Sequence, residues 1–531
     1  MSIVPLQGIA LRPHTLYAAV VLTTLRDATG AALGVSAGMG ELQAGKRPAG
    51  MNDAGYLAYT RAIGALGKAN IALSNVAGLA AFTTDAPMAG LALVKNDMLS
   101  RPAPLPSAPF ALTDTFPTYC VYQSTLDMPE YQVGTPPYAT TGGRWAFDAM
   151  GKPVVQRTES ARIVVTVPRA AMPVSGFPVT VFVRAGGGGD RPLIDRGVQA
   201  TATGPAIEPG MGPALYFARQ GIAGVSVEGP LGGSRNPTGG DEDSLIFNIF
   251  NPVAERDNIR QSGAELILLA HALPGLVLDA STCPGVTGGP VVLDTTKLAL
   301  MAHSLGSTIA PLAMAFEPAY RAAILSGAGA SSIANIIYKL KPIPFRPTFE
   351  TLLGYTRTQR ILVEGDPIVT LFQWATEASD PLVYTRGIVQ EPAKGESARH
   401  ILMEQGIVDH YIMPPIANAM SLSLGLDLAG DELDSRSMEL ANLTPLSAVL
   451  SFAGRRAITL PASANAGGSS QVTSVLVQHP EDGITDGHEI VFQTDPPKRE
   501  YECFLATFLK GTPIVVNGNL PDGGTQDARC P

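Results

Sequence analysis

From Phe177 onward, apolar runs without polar alternation are separated by segments of helical spacing, and this pattern leaves few architectures open. The runs are Val179–Val183, Gly224–Val227, Leu298–Ala302, Ala322–Leu325, Ile401–Met403 and Val472–Val477. A strand with one wet face alternates apolar and polar residues, whereas a strand buried on both faces does not, as in a parallel sheet covered by helices. Between the second and third runs, Ile259, Gly263, Leu266 and Ala270 recur every three to four residues, the period of a helix with a buried stripe. The expected class is α/β, with a mostly parallel sheet.

The rest of the chain organises around that block. Residues 1–105 read as a separate β-rich or α+β accessory domain: an extended piece over Leu11–Leu25, a turn at Asp27–Gly30, a helix from Asp53 to about Lys68 and a further extended piece at Leu79–Thr84. The proline-rich stretch Arg101–Pro109 is the candidate boundary. Residues 106–176 read as connecting strands, short runs between Gly/Pro turns that lead into the sheet, and 177–531 as the main α/β domain. Residues 331–395 interrupt the regular pattern with an insertion rich in Tyr, Phe, Leu and Pro.

The chemistry concentrates in Leu298-Ala-Leu-Met-Ala-His-Ser-Leu-Gly-Ser-Thr-Ile-Ala, where an apolar strand runs into a helix of small residues with Ser304 at the junction. Small residues two before and two after the Ser, here Ala302 and Gly306, let strand and helix backbones approach closely, as a nucleophile elbow requires. That context assigns the chain to the α/β-hydrolase fold. A serine hydroxyl needs a base to take its proton and a carboxylate to orient the base, and in this fold they follow in the order Ser, acid, His. His488, in the loop after the last strand, is the expected base; His479 and His400 stand at strand ends and read as structural. Asp409, leaving the strand that begins at Ile401, is the expected acid, with Glu404 as the alternative; Asp486 is too near His488 in sequence to be first choice. The oxyanion hole is expected from the backbone N–H of Leu305 and one from Ala185, Gly186 or Gly187 in Arg184-Ala-Gly-Gly-Gly-Gly-Asp. That loop lacks the Lys-Ser/Thr of a phosphate-binding loop. No metal or organic cofactor is expected.

Composition excludes several other classes. Of 531 residues, 45% are hydrophobic and 16% charged, which supports a large core and argues against disorder. The net charge of −9, with no basic block, argues against nucleic-acid binding. The apolar run Leu16–Leu25 between Arg12 and Arg26 is too short to span a bilayer and has no cleavage signature, so it reads as a buried strand. Cys120, Cys283, Cys503 and Cys530 show no CxxC spacing, so neither zinc binding nor a thioredoxin-type site is suggested. A bridge from Cys503 to Cys530 would pin the tail to the last helix and fit a secreted or cell-envelope protein; free thiols in a cytosolic enzyme are the alternative.

From about residue 177 the chain resembles bacterial α/β-hydrolases of the extracellular lipase and lysophospholipase type, the virulence-factor lipases. The resemblance rests on Phe177-Pro-Val-Thr-Val-Phe-Val, Asn251-Pro-Val-Ala-Glu-Arg-Asp-Asn-Ile-Arg-Gln, Ala302-His-Ser-Leu-Gly and Gln405-Gly-Ile-Val-Asp. Arg184-Ala185-Gly186 departs from the His-Gly usual in such relatives, and Ala302 replaces a Gly. The resemblance implies hydrolysis of small-molecule or lipid esters, with the 331–395 insertion as a lid. His303, Phe345, Phe349 and Phe372 are the candidate substrate-binding residues. A peptidase or polyester-degrading hydrolase of the same fold is the nearest alternative, and a catalytically inactive binding module a more distant one. The amino-terminal unit is a candidate for contact with a surface or partner.

Overall fold

The computed structural model describes residues 2–184, 191–202, 204–468, 471–519 and 530–531. The chain divides into two compact units, one of Met1–Pro5 and Leu11–Pro87, the other of Leu6–Ala10 and Met88–Pro531.

In the smaller unit, β1 (Leu16–Leu22) pairs antiparallel with β2 (Val76–Thr83). Helix Ala37–Gln43 starts where Ser36 Oγ accepts from Met39 N, and helix Asp53–Lys68 where Asn52 Oδ1 accepts from Gly55 N; both caps satisfy donors that a helix start leaves open. Met39, Leu42, Leu66 and Val76 form a small core backed by Tyr56, Tyr59 and Ile63. This unit therefore holds two α-helices, a 3-10 turn at Leu73–Asn75 and two strands among its described residues, and β1 is half-buried, not the buried strand expected.

The expected boundary at 105 also moves. Helix Ala89–Leu99 belongs to the larger unit, because Leu91, Val94 and Met98 form one apolar face buried in the main core. The proline-rich stretch after it runs within that unit and is not a linker between the two.

The larger unit is built on an 11-stranded sheet in the order β12-β11-β13-β10-β9-β8-β6-β7-β5-β4-β3. Its strands are β3 (Ala111–Thr115), β4 (Tyr119–Glu130), β5 (Arg157–Pro168), β6 (Phe177–Val183), β7 (Ala223–Val227), β8 (Leu293–His303), β9 (Tyr320–Ser326), β10 (His400–Ile407), β11 (Asp427–Ala429), β12 (Ala457–Ile458) and β13 (Ser474–Pro480). Within 106–176, expected as short runs, β4 and β5 are strands of 12 residues each, paired along their whole length. β5 is antiparallel to both neighbours, and from β7 to β12 the pairings are parallel. The apolar runs read from sequence fall in β6, β7, β8, β9, β10 and β13 (the last run begins just ahead of β13), buried on both faces as their composition requires.

Helix Pro252–Ala272 is buried along almost all of its length, polar residues included. Asp257 Oδ2 accepts from Trp145 N at 2.9 Å, and Arg260 pairs with Asp257 at 2.7 Å while lying 4.0 Å over the Trp145 ring. Gln261 accepts from Trp145 Nε1 at 3.0 Å, and Asn258 Oδ1 accepts from Gln132 Nε2 at 2.8 Å. Asp257, Asn258, Arg260 and Gln261 are thus a buried network that ties the helix to the 130–145 segment. Removing one partner would leave the other unpaired in low dielectric, at a cost of roughly 1–3 kcal/mol.

Two disulfides are present, Cys120–Cys283 and Cys503–Cys530, and no cysteine is free. Among the described residues no helix is long and apolar enough to cross a membrane.

Candidate active site

The end of β8 forces Ser304 into an unusual conformation, φ 53° and ψ −120°, immediately before helix Leu305–Met314. A non-glycine residue is strained there, and the turn lifts its side chain off the end of the sheet. The turn is tight because the end of β6 lies against it: a Cβ at Gly306 would stand 2.7 Å from Arg184 O and 2.8 Å from Val183 O, so only glycine fits. Ala302, paired with Val183 on β6, is fully buried, and its single methyl is accommodated.

Two loops bring further polar groups to Ser304. His488 Nε2 lies 3.0 Å from Ser304 Oγ, and His488 Nδ1 lies 2.8 Å from Asp409 Oδ2. Asp409 follows β10, and its Oδ1 accepts from Tyr411 N and Ile412 N, each at 2.8 Å, which fixes the carboxylate. His488 follows β13; Asp486 Oδ1 accepts from its backbone N–H at 2.7 Å, and Asp486 Oδ2 accepts from Lys341 Nζ at 2.8 Å. Asp486 thus holds the histidine loop and leaves the ring to Asp409. The alternative acid, Glu404, lies on β10 next to His479 and Glu500.

The electrostatics follow from burial and these neighbours. Burial disfavours the His488 imidazolium, but the Asp409 carboxylate outweighs it and holds the His488 pKa above the usual histidine value. Burial likewise pushes the Asp409 carboxyl up, and the His488 charge and hydrogen bond more than offset this, so it stays ionised.

His303, expected to face substrate, is fully buried instead. Strand alternation turns it under the His488 ring, with centroids 4.7 Å apart, and its other face meets Phe492 at 4.9 Å. Burial, and the Arg196 charge behind it, push its pKa down to about 4, so it is neutral near pH 7. Glu489 pairs with Arg196 at 2.5 Å and lies 3.6 Å from His303 Nε2. Tyr411 stacks on the other side of His488, centroids 4.5 Å apart and planes 24° from parallel. The sequence reading did not single out Tyr411 or Glu489; adjacency to the proposed acid and base was their only signal.

Leu305 is the first residue of its helix, so its N–H has no intrahelical acceptor and stands beside Ser304. Ala185, Gly186 and Gly187, the expected second oxyanion donors, lie outside the described residues. The 331–395 insertion carries five α-helices, Ser332–Tyr338, Phe345–Leu352, Tyr355–Thr358, Pro367–Thr376 and Leu382–Val389, and a short 3-10 turn at Glu377–Ser379. Its base is tied to the acid loop, since Leu340 N and Lys341 N both donate to His410 O and Lys339 Nζ donates to Tyr411 O at 2.9 Å. Phe345, Phe349 and Phe372 gather in one half-buried aromatic cluster, with the rings of Phe349 and Phe372 edge-to-face at 5.4 Å.

His303, His488 and Glu489 offer donor atoms close enough for one ion. Both His488 nitrogens, however, are engaged with Ser304 and Asp409, which suits proton transfer rather than metal ligation.

Strand order, the antiparallel β5 and a serine turn between the central strand β8 and its helix define an α/β-hydrolase fold. No family model and no curated protein matches the chain. Solved structures similar to it include an acetyl xylan esterase from Paenibacillus sp. R4, with 13% identity over 64% of this chain and 84% of that one and a TM-score of 0.38. A CE15 glucuronoyl esterase from Teredinibacter turnerae T7901 matches at 11% identity over 77% and 79%, TM-score 0.34. An acylaminoacyl peptidase from Pyrococcus horikoshii matches at 11% over 80% and 52%, TM-score 0.34.

Proposed function

We propose that this chain is a serine hydrolase of carboxylic esters working through Ser304, His488 and Asp409. One observation carries the reading: a strained serine hydroxyl within hydrogen-bond reach of an imidazole whose far nitrogen is held by a buried carboxylate. Ser304 Oγ attacks the ester carbonyl while His488 Nε2 takes its proton. The Leu305 N–H stabilises the developing oxyanion, and a donor from Ala185, Gly186 or Gly187 completes the hole. Collapse expels the alcohol, which takes its proton from the imidazolium; water, activated by the same nitrogen, then releases the acid. Asp409 holds the ring with Nδ1–H toward itself and stabilises the imidazolium.

The Phe345, Phe349 and Phe372 cluster, on an insertion anchored to the acid loop, favours esters with an apolar acyl part and gives the insertion the role of a lid. Two disulfides favour export to an oxidising compartment. Labelling with a fluorophosphonate, followed by peptide mass spectrometry, tests the assignment: one adduct on Ser304 is expected, lost in His488→Ala. An unlabelled Ser304, or an adduct elsewhere, removes it. A chain-length series of acyl esters, with a peptide amide as control, separates esterase from peptidase.

A further inference from the structure

Away from Ser304, three ionisable side chains meet inside the protein, between the sheet and helix Asp495–Lys510. The parallel register sets Gly406 of β10 opposite His479 of β13, and Glu404, two residues before Gly406, projects to the same face of the sheet. Glu500 reaches that face from the helix. Its Oε2 lies 3.1 Å from His479 Nε2, and its Oε1 accepts from Gly518 N at 3.0 Å. All three residues are buried, Glu404 at 0% exposure. Donor atoms of Glu404, His479 and Glu500 lie within 4.8 Å of one another.

Glu404 makes this more than an acidic cluster. Among the described residues, neither Glu404 Oε1 nor Oε2 has a hydrogen-bond partner. A protonated carboxyl would normally donate at about 2.5–3.0 Å. Two buried carboxylates beside one imidazole face a desolvation cost that either an opposite charge or a bound proton must offset. Donors around a tetrahedral ion with bonds of about 2.1 Å stand roughly 3.4 Å apart, so these atoms would close onto one with a shift on the order of 1 Å.

We propose that Glu404, His479 and Glu500 bind one divalent transition-metal ion, with water in the fourth position and Zn²⁺ the best match to one imidazole nitrogen and two carboxylates. The ion ties β10 and β13 to the carboxy-terminal helix, beneath the loops that leave those two strands toward Asp409 and His488. Its role is structural: it lies among core side chains and touches none of the three residues proposed for hydrolysis.

The test uses full-length protein freed of metal by chelation and dialysis, then offered Zn²⁺ alone or Mn²⁺ alone. Elemental analysis after gel filtration should find about one Zn²⁺ per chain in the unaltered protein and in Ser304→Ala. Glu404→Gln, isosteric and without the charge, should retain at least tenfold less. Zn²⁺ should raise the Tm of the unaltered protein and leave that of Glu404→Gln unmoved, and Co²⁺ in its place should give the visible absorption of a low-symmetry four-coordinate site. Absence of stoichiometric Zn²⁺ and Mn²⁺ in the unaltered protein, or equal retention by Glu404→Gln, overturns the proposal. The first outcome would mean that the carboxyls share a proton, and the second that the ion sits elsewhere.

Discussion

Gly406 and Gly487 touch backbone to backbone: a Cβ on Gly406 would stand 1.9 Å from the carbonyl oxygen of Gly487, and one on Gly487 would stand 2.6 Å from the carbonyl carbon of Gly406. The contact is reinforced by Gly487 N donating to Val408 O at 2.7 Å. It joins the last turn of the loop bearing His488 to the end of the strand that precedes Asp409, so the separation of these two side chains depends on it. Gly406→Ala is therefore expected to cost about 1–3 kcal/mol in stability through overpacking. It should lower kcat/KM more than fivefold by displacing the imidazole; urea unfolding and ester kinetics on one preparation check both effects.

The pH dependence has a definite sign. His488 must be neutral to accept a proton, and its pKa is held above the usual histidine value by Asp409 against the opposing effect of burial. kcat/KM should therefore fall as pH drops through a pKa raised above that of an ordinary imidazole. Asp409→Asn removes the main cause of the upward shift, so the residual activity should titrate at a lower pH. It should also cost on the order of 10³–10⁴ in kcat, since the ring loses its orienting carboxylate. A pH–rate profile of both proteins between pH 4 and 9 measures the two effects.

Glu489 acts on the same ring from behind. Its charge favours the His488 imidazolium, whereas Arg196 disfavours it. Glu489→Gln leaves Arg196 uncompensated, so the acidic limb should move to lower pH with only a modest loss of kcat at pH 8. An unshifted limb would remove Glu489 from any role in tuning His488.

Much of this arrangement is legible in the sequence because its signals are local. Double-sided burial writes six strands as apolar runs, and the elbow is a five-residue pattern on a strand-to-helix junction. Asp409 and His488 each sit in a loop just past a recognisable strand. What the sequence hides depends on distant partners. β4 and β5 carry polar residues such as Gln123, Asp127 and Glu159 through their length, and Pro129 near the end of β4, so they read as broken pieces until their mutual pairing is seen. His303 looks like a pocket residue because it precedes the serine, yet strand parity drives it into the core. Cys120 finds Cys283 across 163 residues, and no spacing rule announces such a pairing.

The two disulfides should differ in worth. On the chain-entropy model, closing the 163-residue separation of Cys120 and Cys283 contributes about 5 kcal/mol, and the 27-residue separation of Cys503 and Cys530 about 3.5 kcal/mol. Denaturant unfolding of the paired Cys→Ser variants should rank them in that order. Thiol titration of the unaltered, unfolded protein should find no free thiol without reductant and four with it.

The central claim is that one hydroxyl on the turn after β8 performs the bond-breaking step. It is tested most directly by steady-state hydrolysis of p-nitrophenyl acyl esters by Ser304→Ala beside the unaltered protein, with matched circular dichroism. The account predicts a fall in kcat of at least about 10⁴-fold with the fold retained. Turnover by Ser304→Ala within a few-fold of the unaltered protein would contradict it.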